Sequence, residues 1–268
     1  MNMVLHNVSA ANQHLHNADT LDADWPTEEP TNFDSVLMNP PYSAKWSADK
    51  GFLDDPRFSM YGVLAPKSKA DFAFLLHGYY HLKDSGVMAI VLPHGVLFRG
   101  GAEGKIRKEL LENGSIDAVI GLPANIFYNT SIPTTIIVLR KDRDNEDVLF
   151  IDASNEFTKG KNQNVLEDKH IDKILETYKK REVVDKFSHA ANYDEIDEND
   201  FNLNIPRYVD TFEEEEPIDM AALSKEIIDL DKEIEKSEAE ISSMIDELAV
   251  TDDSKEFIEA AKAVFNHE

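Results

Sequence analysis

Residues 34–46 read DSVLMNPPYSAKW, and the change of character halfway along decides how the rest of the chain is read. Ser35 to Met38 ends a short apolar run of the kind that forms a buried strand. Asn39, two prolines and Tyr42 follow. Consecutive prolines end a hydrogen-bonded ladder, because neither has a backbone N–H to donate. The strand therefore stops by presenting an amide and an aromatic ring on a stiff turn. The Asn39 side chain offers a carbonyl acceptor, and the Pro40 carbonyl offers another. Ligands of α/β sheets bind at the carboxyl ends of strands, and two acceptors there suit an amino group with two hydrogens to give. Accepting both hydrogens draws the nitrogen lone pair out of conjugation and makes the nitrogen nucleophilic. Tyr42 can stack on the flat ring that carries it. The bland alternative is a strand-ending turn with an incidental asparagine.

Outward from this turn, strand-like runs alternate with amphipathic segments. Residues 68–83 place Phe72, Leu75, Leu76, Tyr79 and Leu82 on one helical face. VMAIVLP (87–93) is a strand, KIRKELLENG (105–114) a helix closed by glycine, and IDAVIGLP (116–123), TTIIVLRK (134–141) and DVLFIDAS (147–154) are strands. This alternation predicts an α/β sheet with helices on its faces. Only the charged stretch KDRDNED separates the last two runs, which predicts an antiparallel hairpin at the sheet edge.

The chain of 268 residues is 42% hydrophobic and has no cysteine, so disulfides and thiolate chemistry are excluded. That fits a cytoplasmic protein. No apolar run approaches the roughly 18 residues of a membrane span, and the amino terminus does not read as a signal peptide. The net charge of −25 is uneven. Residues 1–181 carry 20 basic and 25 acidic side chains, whereas 182–268 carry 7 and 27. The first part is nearly neutral and the last is a polyanion. A nucleic-acid role then needs a locally basic face or a basic partner. Lys45, Lys50, Lys67 and Lys69 flank the NPPY turn and offer such a face, unless they are ordinary solvated lysines.

Residues 185–222 read as an acidic, loop-like linker, with EEEE at 213–216. Beyond it Leu223, Ile227, Leu230, Ile234, Ser237, Ile241, Met244 and Leu248 are spaced alternately by four and three, a heptad seam with one polar break. The seam serves either a helical hairpin with 251–265 or a partner helix. Other candidates are weaker. RGGAEGK (99–105) lacks the spacing of a phosphate loop and reads as a mobile loop that brings Arg99, Lys105, Arg107 and Lys108 near DNA. His14 and His16 lie near the start. His77 and His81, at i and i+4, have metal-ligand spacing but no metalloprotease carboxylate between them, and no metal site is expected.

The chain resembles the modification subunit of type I restriction-modification systems, an adenine-N6 DNA methyltransferase family. The matching pieces are MNMVLHN (1–7), NADTL (17–21), NPPY (39–42), IVLPHGVLFRGGAEGKIRKELLE (90–112), IDAVIGLPANIFYNTSIPTTIIVL (116–139), NLNIPRYVD (202–210) and the heptad helix. The resemblance implies S-adenosyl-L-methionine as cofactor and a flipped adenine as substrate. It makes Asn39, Pro40, Pro41 and Tyr42 the catalytic residues, Phe127 a second stacking face and Asp19 a contact to the cofactor's adenosine. The implied fold is α/β: a partial methyltransferase (Rossmann-like) sheet with a carboxyl-terminal helical or coiled-coil extension. The domains expected are 1–181 catalytic, 182–222 linker and 223–268 assembly.

The family's glycine-rich cofactor loop has no counterpart here. The chain is therefore expected to match the carboxyl-terminal half of the enzyme, with two family strands absent between an NADTL strand and the strand at 34–38. That leaves 34–38 as an apolar sheet edge. Expected partners are DNA, the specificity subunit through residues 223–248, a second modification subunit, the restriction subunit and a separate amino-terminal half. The alternative is a catalytically silent remnant that keeps only the assembly role.

Overall fold

The computed structural model describes residues 2–13, 15, 17–23, 32–128, 130–211, 219–248, 251 and 254–265. His14, His16 and the 213–216 acidic run lie outside the described residues. Two compact units are present, Met1–Phe212 and Glu213–Glu268.

The first unit opens with two short helices, α1 (Asn2–Leu5) and α2 (Thr20–Ala23). The main sheet is built from β1 (Phe33–Met38), β2 (Leu82–Pro93), β3 (Ile116–Gly121), β4 (Thr134–Arg140), β5 (Val148–Asp152) and β8 (Ser188–Ala191). A small antiparallel pair, β6 (Thr158–Lys159) with β7 (Asn164–Val165), stands apart from it. Helices α3 (Asp71–Tyr80), α4 (Ala102–Glu112), α5 (Asp168–Lys180) and α6 (Tyr193–Glu198) complete the unit. The strand order is β1-β2-β4-β3-β5-β8. Pairing is parallel between β1 and β2 and between β3 and β5, while β4 is antiparallel to both β2 and β3. The carboxyl ends of β1, β2, β3 and β5 thus share one edge of the sheet. Each face carries its own apolar core. One includes Phe72, Leu75 and Leu76 of α3 with Met88 and Ile90 of β2. The other includes Ala118, Ile120, Leu149 and Ile151 with Ile174 of α5.

Several expectations change. The hairpin expected between 134–141 and 147–154 does not form, because β4 pairs with β3 and β2 and leaves β5 beside β3. The charged stretch between them is a crossing held by the inward-turned side chain of half-buried Arg143, which donates to the carbonyls of Gly114 at 2.8 Å and Ile116 at 2.5 Å, and to that of Asp147. NADTL forms no strand; its end is the one-turn helix α2. Leu82 begins β2 rather than ending a helix, and it is fully buried there. The expected linker is folded over most of its length. Phe201, Leu203, Ile205, Tyr208 and Val209 are buried, the Leu203 N–H donates to the Leu97 carbonyl at 2.9 Å, and the Tyr208 ring stacks on Phe150 at 3.8 Å. The apolar residues of this strap are sparse in an acidic background, and only tertiary packing reveals them.

The stretch around Asp19 is fixed from behind. Buried Arg57 donates to the Thr20 carbonyl at 3.0 Å and the Leu21 carbonyl at 2.9 Å, and pairs with Asp55 at 2.7 Å. It also meets His77 Nδ1 at 3.2 Å, while His77 Nε2 lies 3.1 Å from Thr20 Oγ1. Guanidinium can only donate, so Nδ1 is the acceptor and Nε2–H donates to Thr20. Both ring nitrogens of His77 are committed to holding α2. Burial pushes its pKa down to about 3, with the neighbouring His81 and Arg57 adding to the fall.

The second unit comprises α7 (Met220–Asp246) and α8 (Lys255–Phe265). Asp219 caps α7 by accepting from the Ala221 and Ala222 N–H groups. Ile258 of α8 is buried and Lys262 pairs with Asp246, so a helical hairpin forms. Even so, Leu223, Ile227, Leu230 and Ile234 of the heptad seam stay exposed.

Two outcomes follow for stability. Replacing Tyr208 by Ala removes a stacked buried ring, and denaturant unfolding should show a loss of about 3 kcal/mol; Tyr208→Phe, which gives up only the bond to the Asn202 carbonyl, should cost about 1 kcal/mol. His77 titrates in the unfolded chain near its ordinary value of 6.5 but in the fold only near 3. The unfolded state therefore binds the extra proton between those limits, and the stability from neutral His77 is complete above pH 6.5 and falls as the pH drops toward 3. Compared with the native chain, His77→Gln should flatten the stability–pH slope in that window by about 1.4 kcal/mol per pH unit. An unchanged slope would contradict the assignment.

Candidate active site

β1 delivers the NPPY turn to the sheet edge where the parallel strands end. Asn39 is exposed, Pro40 is buried, Pro41 is exposed and Tyr42 is half-buried. The Tyr42 hydroxyl donates to Asn39 Oδ1 at 2.8 Å. This bond orients the amide, since only its oxygen can accept, and it leaves the second lone pair of Oδ1 available. Burial holds the Tyr42 hydroxyl above its ordinary pKa, so it remains a donor.

The chain leaves the turn in a constrained way. Ser43 has φ of +50°, a left-handed backbone that costs a residue with a side chain on the order of 1 kcal/mol or more. Its N–H donates to Asp71 Oδ1 at 2.7 Å. Beyond it the Ala70 N–H donates to the Ala44 carbonyl at 2.8 Å and the Trp46 N–H to the Lys67 carbonyl at 3.1 Å. These bonds lace 43–46 to 66–71 and bring Lys45 beside Lys67 and Lys69. Lys45, Lys50 and Lys67 are exposed and Lys69 half-exposed, so a basic rim borders the turn.

Behind the turn lies a buried ion network that sequence reasoning missed. Asp71 pairs with Arg99 at 2.6 Å, and Arg99 grips Glu103 at 2.5 and 2.8 Å. Arg107 is buried and donates to the carbonyls of Phe201, Val96 and Arg99. Arg99 and Arg107, expected near DNA, are thus consumed internally. Only Lys105 and Lys108 of that group stay exposed, and Lys108 lies over the Phe201 ring at 4.5 Å. The one available signal was the four-residue spacing of charges at 99, 103 and 107, of which Glu103 and Arg107 lie on α4 and Arg99 just before it.

Phe127 is half-buried in the 122–133 connection after β3, with a backbone bridge to Thr130. It shares the sheet edge with the NPPY turn, but β2 and β4 separate β3 from β1. At about 4.8 Å per strand that is about 14 Å. Asp19 is exposed and its Oδ1 accepts the Leu21 N–H at 3.0 Å, so one oxygen caps α2.

The open side of β1 carries a cavity of about 300 Å³ lined by Thr20, Val36, Met38, His77 and Gly78 among others. It is largely apolar, and none of its lining residues is a carboxylate or a cation apart from histidine. The ribose hydroxyls and the amino-acid end of S-adenosylmethionine need carboxylates and a backbone N–H cradle. The residues that line this cavity do not supply these and do not by themselves fit that cofactor.

The family model described as N-6 DNA Methylase matches residues 1–217. The type I restriction enzyme MpnII methylase subunit of Mycoplasma pneumoniae is 42% identical over 246 residues, which cover 87% of this chain and 45% of that protein. The MjaVII methylase subunit of Methanocaldococcus jannaschii is 36% identical over 256 residues, 90% of this chain and 42% of that one. A crystal structure of a type I restriction-modification methyltransferase subunit from Streptococcus thermophilus superposes with a TM-score of 0.77 at 76% identity, covering 79% of this chain and 45% of that one. The chain spans less than half the length of these relatives. With the NPPY turn at the end of a parallel strand and a family match over most of its length, the chain belongs to the N-6 DNA methylase family.

Proposed function

We propose that this chain carries the amine-holding half of a site-specific DNA adenine-N6 methyltransferase of the type I restriction-modification class. The observation that supports this most is the Asn39 amide, held at the carboxyl end of β1 by the Tyr42 hydroxyl with one lone pair left to accept. A flipped adenine presents N6 to Asn39 Oδ1 and the Pro40 carbonyl. Each accepts one hydrogen, and the nitrogen lone pair turns toward the methyl donor. Tyr42 packs on one face of the base, and the Phe127 loop closes toward the other. Asp19, through its uncapped oxygen, would contact the adenosine of the donor.

S-adenosyl-L-methionine is the donor the family implies, supplying an electrophilic methyl group. The remaining contacts to it come from a separate amino-terminal half paired on the free edge of β1, where Leu37 is 82% exposed. The basic rim at Lys45, Lys50, Lys67 and Lys69 meets DNA phosphates. The exposed seam of α7, residues 223–248, joins the specificity subunit as a coiled coil, and a second modification subunit and the restriction subunit complete the complex. No helix among the described residues is long and apolar enough to cross a membrane, and a cytoplasmic site of action suits the DNA substrate.

Tritium-labelled S-adenosylmethionine tests this reading on the chain assembled with an amino-terminal half and a specificity subunit. Label should appear in DNA as N6-methyladenine. Asn39→Ala should slow transfer about 10²-fold or more, with little change in DNA affinity. Label in cytosine or in protein, or full activity of Asn39→Ala, would contradict the proposal. Replacing Lys45, Lys67 and Lys69 by Gln should flatten the slope of log affinity against log salt by about 2–3, which fluorescence anisotropy reads directly.

A further inference from the structure

The buried charges behind the NPPY turn are more than the fold requires. Asp71 is fully buried and Glu103 nearly so, and a single guanidinium, that of Arg99, lies between them. Buried ion pairs are weak contributors to stability, because desolvation offsets the attraction, and apolar groups of the same size often serve the fold as well. What an apolar group cannot do is accept the Ser43 N–H. Asp71 does so at 2.7 Å, at the residue whose left-handed backbone sets the exit from the turn. The other Asp71 oxygen is fixed by Arg99 at 2.6 Å. Arg99 is itself fixed twice, by Glu103 and by passing so close over Gly95 that a Cβ there would lie 2.3 Å from its Nη1. The Arg99 carbonyl accepts from Arg107, which also holds the Phe201 carbonyl of the strap. An unbroken line of charge-assisted bonds therefore runs from α4 and the strap to the backbone of the turn.

We infer that Asp71 and Arg99 are positioning residues for the reactive turn: Asp71 holds the Ser43 backbone so that Asn39 and Tyr42 face the substrate, and Arg99 holds Asp71. This rests on reading residues 39–42 as the amine-holding turn. Neither residue touches the substrate. Their effect is on the angle at which the two acceptors are offered, and small misplacements of reacting groups carry large rate penalties. The same line of bonds makes the turn sensitive to anything that shifts α4 or the strap.

The test reads the turn's geometry without methyl transfer, so its failure leaves the functional reading standing and is distinguishable from a failure of methyl transfer, which would remove the reading on which the inference rests. The full chain is labelled with 3-fluorotyrosine, and the Tyr42 ¹⁹F line is assigned by its loss in Tyr42→Phe. Hydrogen exchange reads the Ser43 amide in the same samples. In Asp71→Ala the Tyr42 line should shift or broaden and Ser43 exchange should rise at least about tenfold. The Tyr178 and Tyr208 lines should stay in place. Asp71→Asn keeps an acceptor for the Ser43 N–H and should move the Tyr42 line less.

A second variant guards against simple misfolding. Asp71→Leu/Arg99→Met/Glu103→Leu removes the charges together and leaves no buried carboxylate without its cation. It should melt near the native temperature while the Tyr42 line is displaced as in Asp71→Ala. A native Tyr42 line with native Ser43 protection in either folded variant would overturn the inference. So would unfolding of both variants, which would make the network support for the fold alone.

Discussion

Strand β1 is hydrogen-bonded on one side, to β2, and among the described residues no strand pairs with its other side. The candidate site depends on that arrangement. The turn that offers the Asn39 and Pro40 acceptors continues directly from this strand, so its position is set by the β1–β2 register and by whatever grips the chain just after it. Pairing from Ser35↔Val87 to Met38↔Ile90 sets the strand's height in the sheet. Asp71 takes hold five residues past Met38, at Ser43. Between these two anchors the prolines stiffen the chain, and the Tyr42 hydroxyl fixes the amide. An edge strand whose Leu37 faces solvent is an aggregation hazard when left bare and a docking edge when covered.

The arrangement also sorts the cations. Arginines 57, 99, 107 and 143 are turned inward, where their planar forks bind backbone carbonyls and carboxylates. Arg57 fixes α2, Arg99 the turn, Arg107 the strap, and Arg143 the crossing between β4 and β5. Lysines hold the outer surface beside the turn. That division follows from chemistry, since guanidinium carries more donors at a lower hydration cost than ammonium. It lets an acidic chain keep exposed lysines beside the candidate site while most of its net negative charge lies beyond residue 181.

Much of this was legible in the sequence. The runs at 87–93, 116–121, 134–140 and 148–152 are strands because a sheet covered on both faces writes itself as continuous apolar stretches, and 35–38 is equally apolar although it lies exposed at the sheet's end. Strand order was not legible, since the insertion of β4 between β2 and β3 depends on contacts far apart in sequence. The strap was hidden because the alternation of Phe201, Leu203 and Ile205 with polar residues is cut short at Pro206, in an acidic background. The turn that carries Asn39 and Tyr42 was readable from its position after a strand. Asp71 was not, because an acidic residue at a helix start has an ordinary local explanation. Arg99, beside two glycines, read as a residue near DNA, because its partner Asp71 lies 28 residues away in sequence.

The central claim is that the described residues form the amine-holding side of a transfer site and leave the donor side to be completed at the β1 edge. Calorimetric titration of the isolated chain with S-adenosylmethionine tests this most directly. The account expects no measurable heat of binding from the chain alone, and saturable binding once an amino-terminal half is added. Micromolar binding by the chain alone would contradict it, because Asp19 and its neighbours would then form a complete cofactor site.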